Sequence, residues 1–130
     1  MTTKLPKTDY SAAVALLCKV LWIQKPLAEQ RLVPGRKWAV DFVWPNPKFD
    51  LLNGTINNYD LLWYHGLILE VEGGAYKQGR HTRGTGFEGD CEKYNALAAL
   101  GYRLIRVLPS WFDNGKALAA LKAVRDGGYL

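Results

Sequence analysis

The stretch Leu67-Ile68-Leu69-Glu70-Val71-Glu72-Gly73-Gly74 carries acidic side chains out of an otherwise apolar run. Read as a strand, it puts Leu67, Leu69 and Val71 on one face and Ile68, Glu70 and Glu72 on the other. Upstream, Trp38-Ala39-Val40-Asp41-Phe42-Val43-Trp44 holds one acid, Asp41, inside an apolar and aromatic segment. Neighbouring strands lie about 4.8 Å apart, so if these two pair, Asp41, Glu70 and Glu72 can converge. Three carboxylates that close repel one another unless a proton or a cation sits between them. For an all-oxygen site the natural cation is a hard divalent ion, Mg or Mn. The ordinary alternative is three solvated acids on an open sheet face. The Gly73-Gly74 pair favours the metal, because glycines let a ligand approach the backbone closely.

A second feature follows directly. Residues 73–86 contain Gly73, Gly74, Gly79, Gly84 and Gly86 together with Lys77, Arg80, His81 and Arg83. The segment has no apolar period and reads as an exposed loop. Such loops are often merely solvated, but beside acids this one supplies charge for phosphate groups that the carboxylates would repel. His81 could protonate a leaving group or simply contact a phosphate. Beyond the loop, Glu88 and Asp90 suit the N-terminal end of a helix, and Tyr94 and Asn95 could face the site.

Several elements must position these groups. Thr8, Asp9 or Ser11 can cap a helix running to about Ile23, with Val14, Leu17, Cys18 and Leu21 on one stripe. Pro26 suits the first position of a short second helix, Pro26 to about Leu32, carrying Glu29 and Arg31 and closed by Pro34-Gly35. A strand is expected over Lys37 to Trp44, then a loop or irregular hairpin over 46–60. Leu61 to Tyr64 is either a separate strand or the start of the next one, and His65-Gly66 is a turn. After the strand Leu67 to Glu72 come a helix over Phe87 to Leu100 and a strand over Tyr102 to Leu108. In that helix Cys91, Tyr94, Leu97 and Ala98 point inward and Gly101 is the stop. A last helix spans Lys116 to Arg125. Trp38, Trp44 and Trp63 read as core, and Trp111 as an exposed or interface aromatic. This order indicates an α/β sandwich.

Composition sets the outer bounds. The chain of 130 residues is 48% hydrophobic and 22% charged, which suits a single globular domain. Its 17 Lys and Arg against 12 Asp and Glu favour a polyanionic partner. Cys18 and Cys91 form neither a disulfide framework nor a metal-ligand spacing, which fits a reduced, cytoplasmic setting. The apolar run from Ala12 to Ile23 is too short to span a bilayer, and Lys19 interrupts it as a signal peptide. Residues 1–7 read as a flexible basic tail, and no membrane partner is expected.

The acid-bearing strand, the spacer, the strand with Glu70-Val71-Glu72, and then a helix and a strand with Gly-Tyr-Arg-Leu-Ile-Arg at 101–106 resemble the PD-(D/E)XK nuclease superfamily. The likeness covers roughly residues 26–108. It is nearest to the small branch of very-short-patch-repair-like endonucleases and phage or archaeal Holliday junction resolvases. The resemblance implies a restriction-endonuclease-like α/β sandwich, with a central mixed sheet flanked by helices, over the single domain 1–130. It implies an Mg- or Mn-dependent DNA endonuclease, most suited to branched DNA and acting as a homodimer, with no nucleotide cofactor. Mismatch-repair or restriction-type nicking and a catalytically silent DNA-binding module are the alternatives. A phage-encoded protein acting in the host cytoplasm would suit so small a domain.

On this resemblance Asp41 and Glu70 are metal ligands, Val71 offers its backbone carbonyl, and Glu29 on the preceding helix completes the catalytic set. The family's usual Lys, two residues after the motif Glu, is Glu72 here. Glu72 could act as general base or second-metal ligand, making a two-metal site plausible. A displaced Lys, either Lys93 or Lys77, could instead polarise the water or the phosphate. The DNA contacts implied are Lys77, Arg80, His81, Arg83 and Lys93.

Overall fold

The computed structural model describes residues 8–46, 49–50, 55–56, 66–73 and 84–127. Helix α1 (Ser11–Leu21) leads into strands β1 (Leu27–Gln30) and β2 (Val40–Trp44). Two short strands, β3 (Phe49–Asp50) and β4 (Thr55–Ile56), form a separate pair. Then come β5 (Leu67–Val71), α2 (Gly84–Ala99), β6 (Arg103–Val107), α3 (Trp111–Asn114) and α4 (Lys116–Arg125).

The main sheet has the order β1-β2-β5-β6. The first two pairings are antiparallel and β5 runs parallel to β6, so the sheet is mixed. A parallel pair needs a crossover, and α2 supplies it. The fold is therefore α/β, with helices on both faces of an open four-stranded sheet. The stripe Val14, Leu17, Cys18 and Leu21 of α1 packs with Ala117 and Leu121 of α4 on Phe42, Trp44, Leu67, Leu69 and Val107. On the opposite face Leu97 of α2 packs with Val40, Val43 and Ile68, with Tyr94, Tyr102 and Leu104 at the margin. Period-two alternation explains the split: Leu67 and Leu69 serve one layer and Ile68 the other. Among the described residues, no helix is long and apolar enough to cross a membrane.

The expected second helix is instead β1, paired antiparallel with β2. A helix of barely two turns from Pro26 would leave most of its backbone groups without intrahelical partners, whereas a strand beside β2 finds them in the ladder. The first strand begins at Val40 rather than Lys37, and the stretch 46–60 contains the β3–β4 pair. Helix α2 starts at Gly84, inside the expected loop, and the short α3 adds a turn of helix between β6 and α4. Of the expected inward set on α2, Leu97 is buried and Tyr94 half-buried, whereas Cys91 and Ala98 are exposed. Gly101 does stop α2, donating its N–H to Ala98 O while Tyr102 N–H reaches Leu97 O. Trp44 is core and Trp38 half-buried; Trp111 is half-buried against the α1 and α4 layer rather than exposed. The expectations for residues 1–7, Leu61 to Tyr64, Trp63 and His65 lie outside the described residues.

One turn locks the ends of three strands together. Gly66, at φ +68°, donates to Trp44 O at 2.8 Å and accepts from Arg103 N–H at 2.8 Å. Asn46 sits against it, donating Nδ2–H to Leu100 O at 2.8 Å and its backbone N–H to Tyr102 Oη at 3.3 Å. A Cβ at position 66 would run into the Asn46 amide, with Cγ at 3.1 Å. Gly66→Ala therefore combines a left-handed backbone with a clash, and should cost about 2–3 kcal/mol. Urea unfolding checks this; an unchanged midpoint would show that the Asn46 side chain gives way freely.

Candidate active site between β2 and β5

Antiparallel pairing sets Phe42 opposite Leu69 and Val43 opposite Ile68, so Asp41 and Glu70 meet where the two strands part. There the side chains take over from the ladder. Asp41 N–H donates to Glu70 Oε2 at 3.0 Å, and Val71 N–H donates to Asp41 Oδ2 at 2.8 Å. Each carboxylate thus caps a backbone donor of the other strand, an arrangement available only to acids facing one another across the gap.

Glu70 is 5% exposed, the one charged residue among the buried ones described. A buried carboxylate needs a counter-charge. Lys93, on the sheet-facing side of α2 one turn before Leu97, provides it. Its ammonium lies 3.0 Å from Glu70 Oε1 and donates to Ala39 O at 2.9 Å. Burial still raises the Glu70 carboxyl above its ordinary value of 4.5. The Lys93 contact pulls it back and the Asp41 charge adds to the rise.

Tyr94 closes the other side. Its hydroxyl lies 3.4 Å from Glu70 Oε1, and its ring lies below both Lys93 Nζ at 5.3 Å and the Arg106 guanidinium at 4.5 Å. Burial, outweighing the Arg106 contact, pushes this phenol up to about 12, so it remains a proton donor at neutral pH.

The expected convergence of three acids is only two-thirds realised. Glu72, beyond the end of β5, is turned to Arg106, its Oε1 2.9 Å from Nε but without an aligned hydrogen bond. Arg106, on β6 beside Glu70 in the parallel register, captures it. Among the described residues, no three His, Cys, Asp or Glu side chains form a metal-binding group.

Glu29 is not on a helix. It occupies the edge strand β1 with φ +54°, between Ala28 opposite Phe42 and Gln30 opposite Val40, so its position falls beside Asp41. The register is one-for-one on both sides of Glu29, so its left-handed backbone is a local kink with no inserted residue. The Val71 carbonyl already accepts the Gly73 N–H at 3.0 Å, leaving one lone pair. Lys77, Arg80, His81 and Arg83 lie outside the described residues. Asn95 is exposed.

Two participants carried little sequence signal. Tyr94 reads from the sequence only as a residue that could face the site, and nothing in the local pattern singles out Arg106. The signal for Arg106 was its position on a strand next to Glu70-Val71-Glu72, readable only once β5 and β6 are known to be parallel and in register.

The donor chemistry fits a hard divalent ion. Asp41 and Glu70 offer carboxylate oxygens and Val71 a carbonyl, and the raised Glu70 carboxyl is a group that a cation would stabilise in its charged form. Compared with family models, with curated proteins and with solved structures, the chain matches none of them.

Proposed function

We propose that this protein is a metal-dependent DNA endonuclease whose centre is Asp41, Glu70 and Lys93, within a restriction-endonuclease-like sandwich. The observation that carries this reading is two carboxylates on adjacent strands, cross-bonded through backbone N–H groups, with an ammonium 3.0 Å from the more buried one. Asp41, Glu70 and the Val71 carbonyl would hold one Mg or Mn ion. Such an ion lowers the pKa of a bound water and offsets charge on phosphate oxygens.

The chain's own groups have separate tasks. Asp41 and Glu70 present oxygen ligands whose positions the strand backbones fix. Lys93 places a positive charge among the acids, the place that the resemblance left open between Glu72 and a displaced lysine. Glu72 is held by Arg106, so the reading favours Lys93 over Glu72 and one metal over two. Tyr94 fills the space between Lys93 and Arg106 and keeps both cations directed at the carboxylates. The net charge of +5 supplies long-range attraction for DNA.

A small domain of this kind suits branched DNA cut by a homodimer, since paired cuts need paired sites. A labelled four-way junction and its linear duplex, incubated in EDTA, Mg and Mn, test this. Symmetric metal-dependent nicks in the junction alone support the resolvase reading; cutting of both substrates supports a general or sequence-directed nuclease. A monomer in sedimentation with DNA removes the dimer.

One observation favours a second reading. Both Glu70 oxygens already have partners, Asp41 N–H and Lys93, as in a purely structural polar core. Binding of DNA without cleavage in any divalent metal would support a catalytically silent module.

The raised Glu70 carboxyl gives the active form a pH signature. A metal ligand must be deprotonated, so cleavage should fall as pH drops through a window that begins above 4.5. At subsaturating Mg, where proton and metal compete for the carboxylate, a rate held constant down to pH 4.5 would contradict the assignment of Glu70 as ligand.

A further inference from the structure

The connection between β1 and β2 carries Arg31, Arg36 and Lys37 and contains no acid between Glu29 and Asp41. All three cations are exposed. The connection is shaped by a tight turn over Val33-Pro34-Gly35-Arg36, in which Arg36 N–H donates to Val33 O at 3.2 Å. Pro34 presets the second position, and Gly35 at φ +78° takes the left-handed third position of a type II turn.

Arg36 leaves this turn in a fixed posture. Its guanidinium carbon sits 3.9 Å from the Trp38 ring centroid, and Nη2 lies 3.0 Å from Glu92 Oε2. Glu92 immediately precedes Lys93 on α2, and Lys93 holds both Glu70 and the carbonyl of Ala39. The same segment that carries Arg36 therefore continues, five residues on, to Asp41.

We propose that Arg36 contacts a backbone phosphate of the DNA strand that reaches the Asp41–Glu70–Lys93 centre, and that Glu92 holds the guanidinium in place until the phosphate arrives. The inference rests on the DNA-cleaving reading and adds to it a binding residue. Stacking covers one face of the guanidinium and leaves its in-plane donors available, the geometry suited to a phosphate. The contact with Glu92 engages a single nitrogen, and the two side chains are 48% and 51% exposed. An exposed pair of this kind is weak, so a phosphate displaces the carboxylate at little cost. Stacking on Trp38 and the type II turn hold the arginine near its binding posture, reducing the ordering that DNA binding must impose.

The test is equilibrium binding of a fluorescently labelled four-way junction, and of a linear duplex with the same arms, over a series of KCl concentrations in EDTA. Arg36→Ala should weaken binding severalfold and lower the slope of log K against log salt by about one. Arg36→Lys, which keeps the charge, should retain most of the slope. Glu92→Gln, which releases the guanidinium, should bind roughly two- to fivefold tighter. An unchanged affinity and slope for folded Arg36→Ala, with wild type binding normally, would overturn the proposal and reduce the pair to a brace for the loop. Wild-type protein that binds neither DNA would overturn the DNA reading itself.

Discussion

Asp41→Asn should abolish the proposed metal-dependent cleavage, by on the order of 10³-fold, while the protein stays folded and still binds DNA. The substitution keeps an oxygen able to accept the Val71 N–H, which Asp41 Oδ2 takes at 2.8 Å, so the junction of β2 and β5 survives. What it removes is the charge that a hard cation needs. Asp41→Ala would also stop cleavage, but it strands the Val71 donor in a half-buried place and adds about 1–3 kcal/mol of destabilisation. Comparing the two separates ligand from brace. Single-turnover cleavage of a junction, read beside urea unfolding, is the measurement. Normal cutting by Asp41→Asn would end the metal mechanism.

Lys93→Met should have the largest effect on stability. It leaves Glu70, the buried acid, without its ammonium, and breaking such a pair by removing one partner costs about 3–5 kcal/mol. The sign of the pH dependence follows from the Glu70 carboxyl. In the folded chain it lies above 4.5 because burial outweighs the Lys93 contact, so the folded state takes up a proton more readily than the unfolded one. That contribution to stability is fully present below 4.5 and is lost as pH rises through the folded value. Without Lys93 the folded value rises further and the window widens upward. The deficit of Lys93→Met against wild type should therefore be largest at pH above the folded Glu70 value and shrink on acidification. Denaturant titrations at two pH values check this; a deficit independent of pH would mean that lost packing, rather than an unpaired Glu70, explains it.

Much of this architecture was readable in the sequence because it depends on period. The stripe of α1, the span Lys116–Arg125 of α4, the Gly101 stop and the strands around Asp41 and Glu70 are all set by local patterns of apolar residues and caps. Pro26 to Leu32 misled, since Pro26 fits a helix start and only the tertiary partner β2 makes the segment a strand. Cys91 and Ala98 misled for a related reason: the side of α2 that faces the sheet is fixed by Lys93, Tyr94 and Leu97 meeting Glu70 and Ile68.

The candidate site divides in the same way. Alternation along two strands was enough to bring Asp41 and Glu70 together once the strands paired. The destination of Glu72 was not, because it depends on an arginine of β6 that arrives through a crossover. The meeting of Lys93 with Glu70 likewise depends on the rotation of α2 about its own axis, which a helix of low amphipathicity does not announce.

The proposed role of Asp41 and Glu70 is to hold a divalent ion. Titrating the purified protein with Mn and following the relaxation of water protons measures this without any DNA. Saturable binding of one ion is expected, weakened by low pH and lost in Asp41→Asn and Glu70→Gln variants that remain folded. No binding at millimolar Mn, or binding that both variants retain, would contradict it and leave the Asp41–Glu70–Lys93 cluster as a structural brace between β2, β5 and α2.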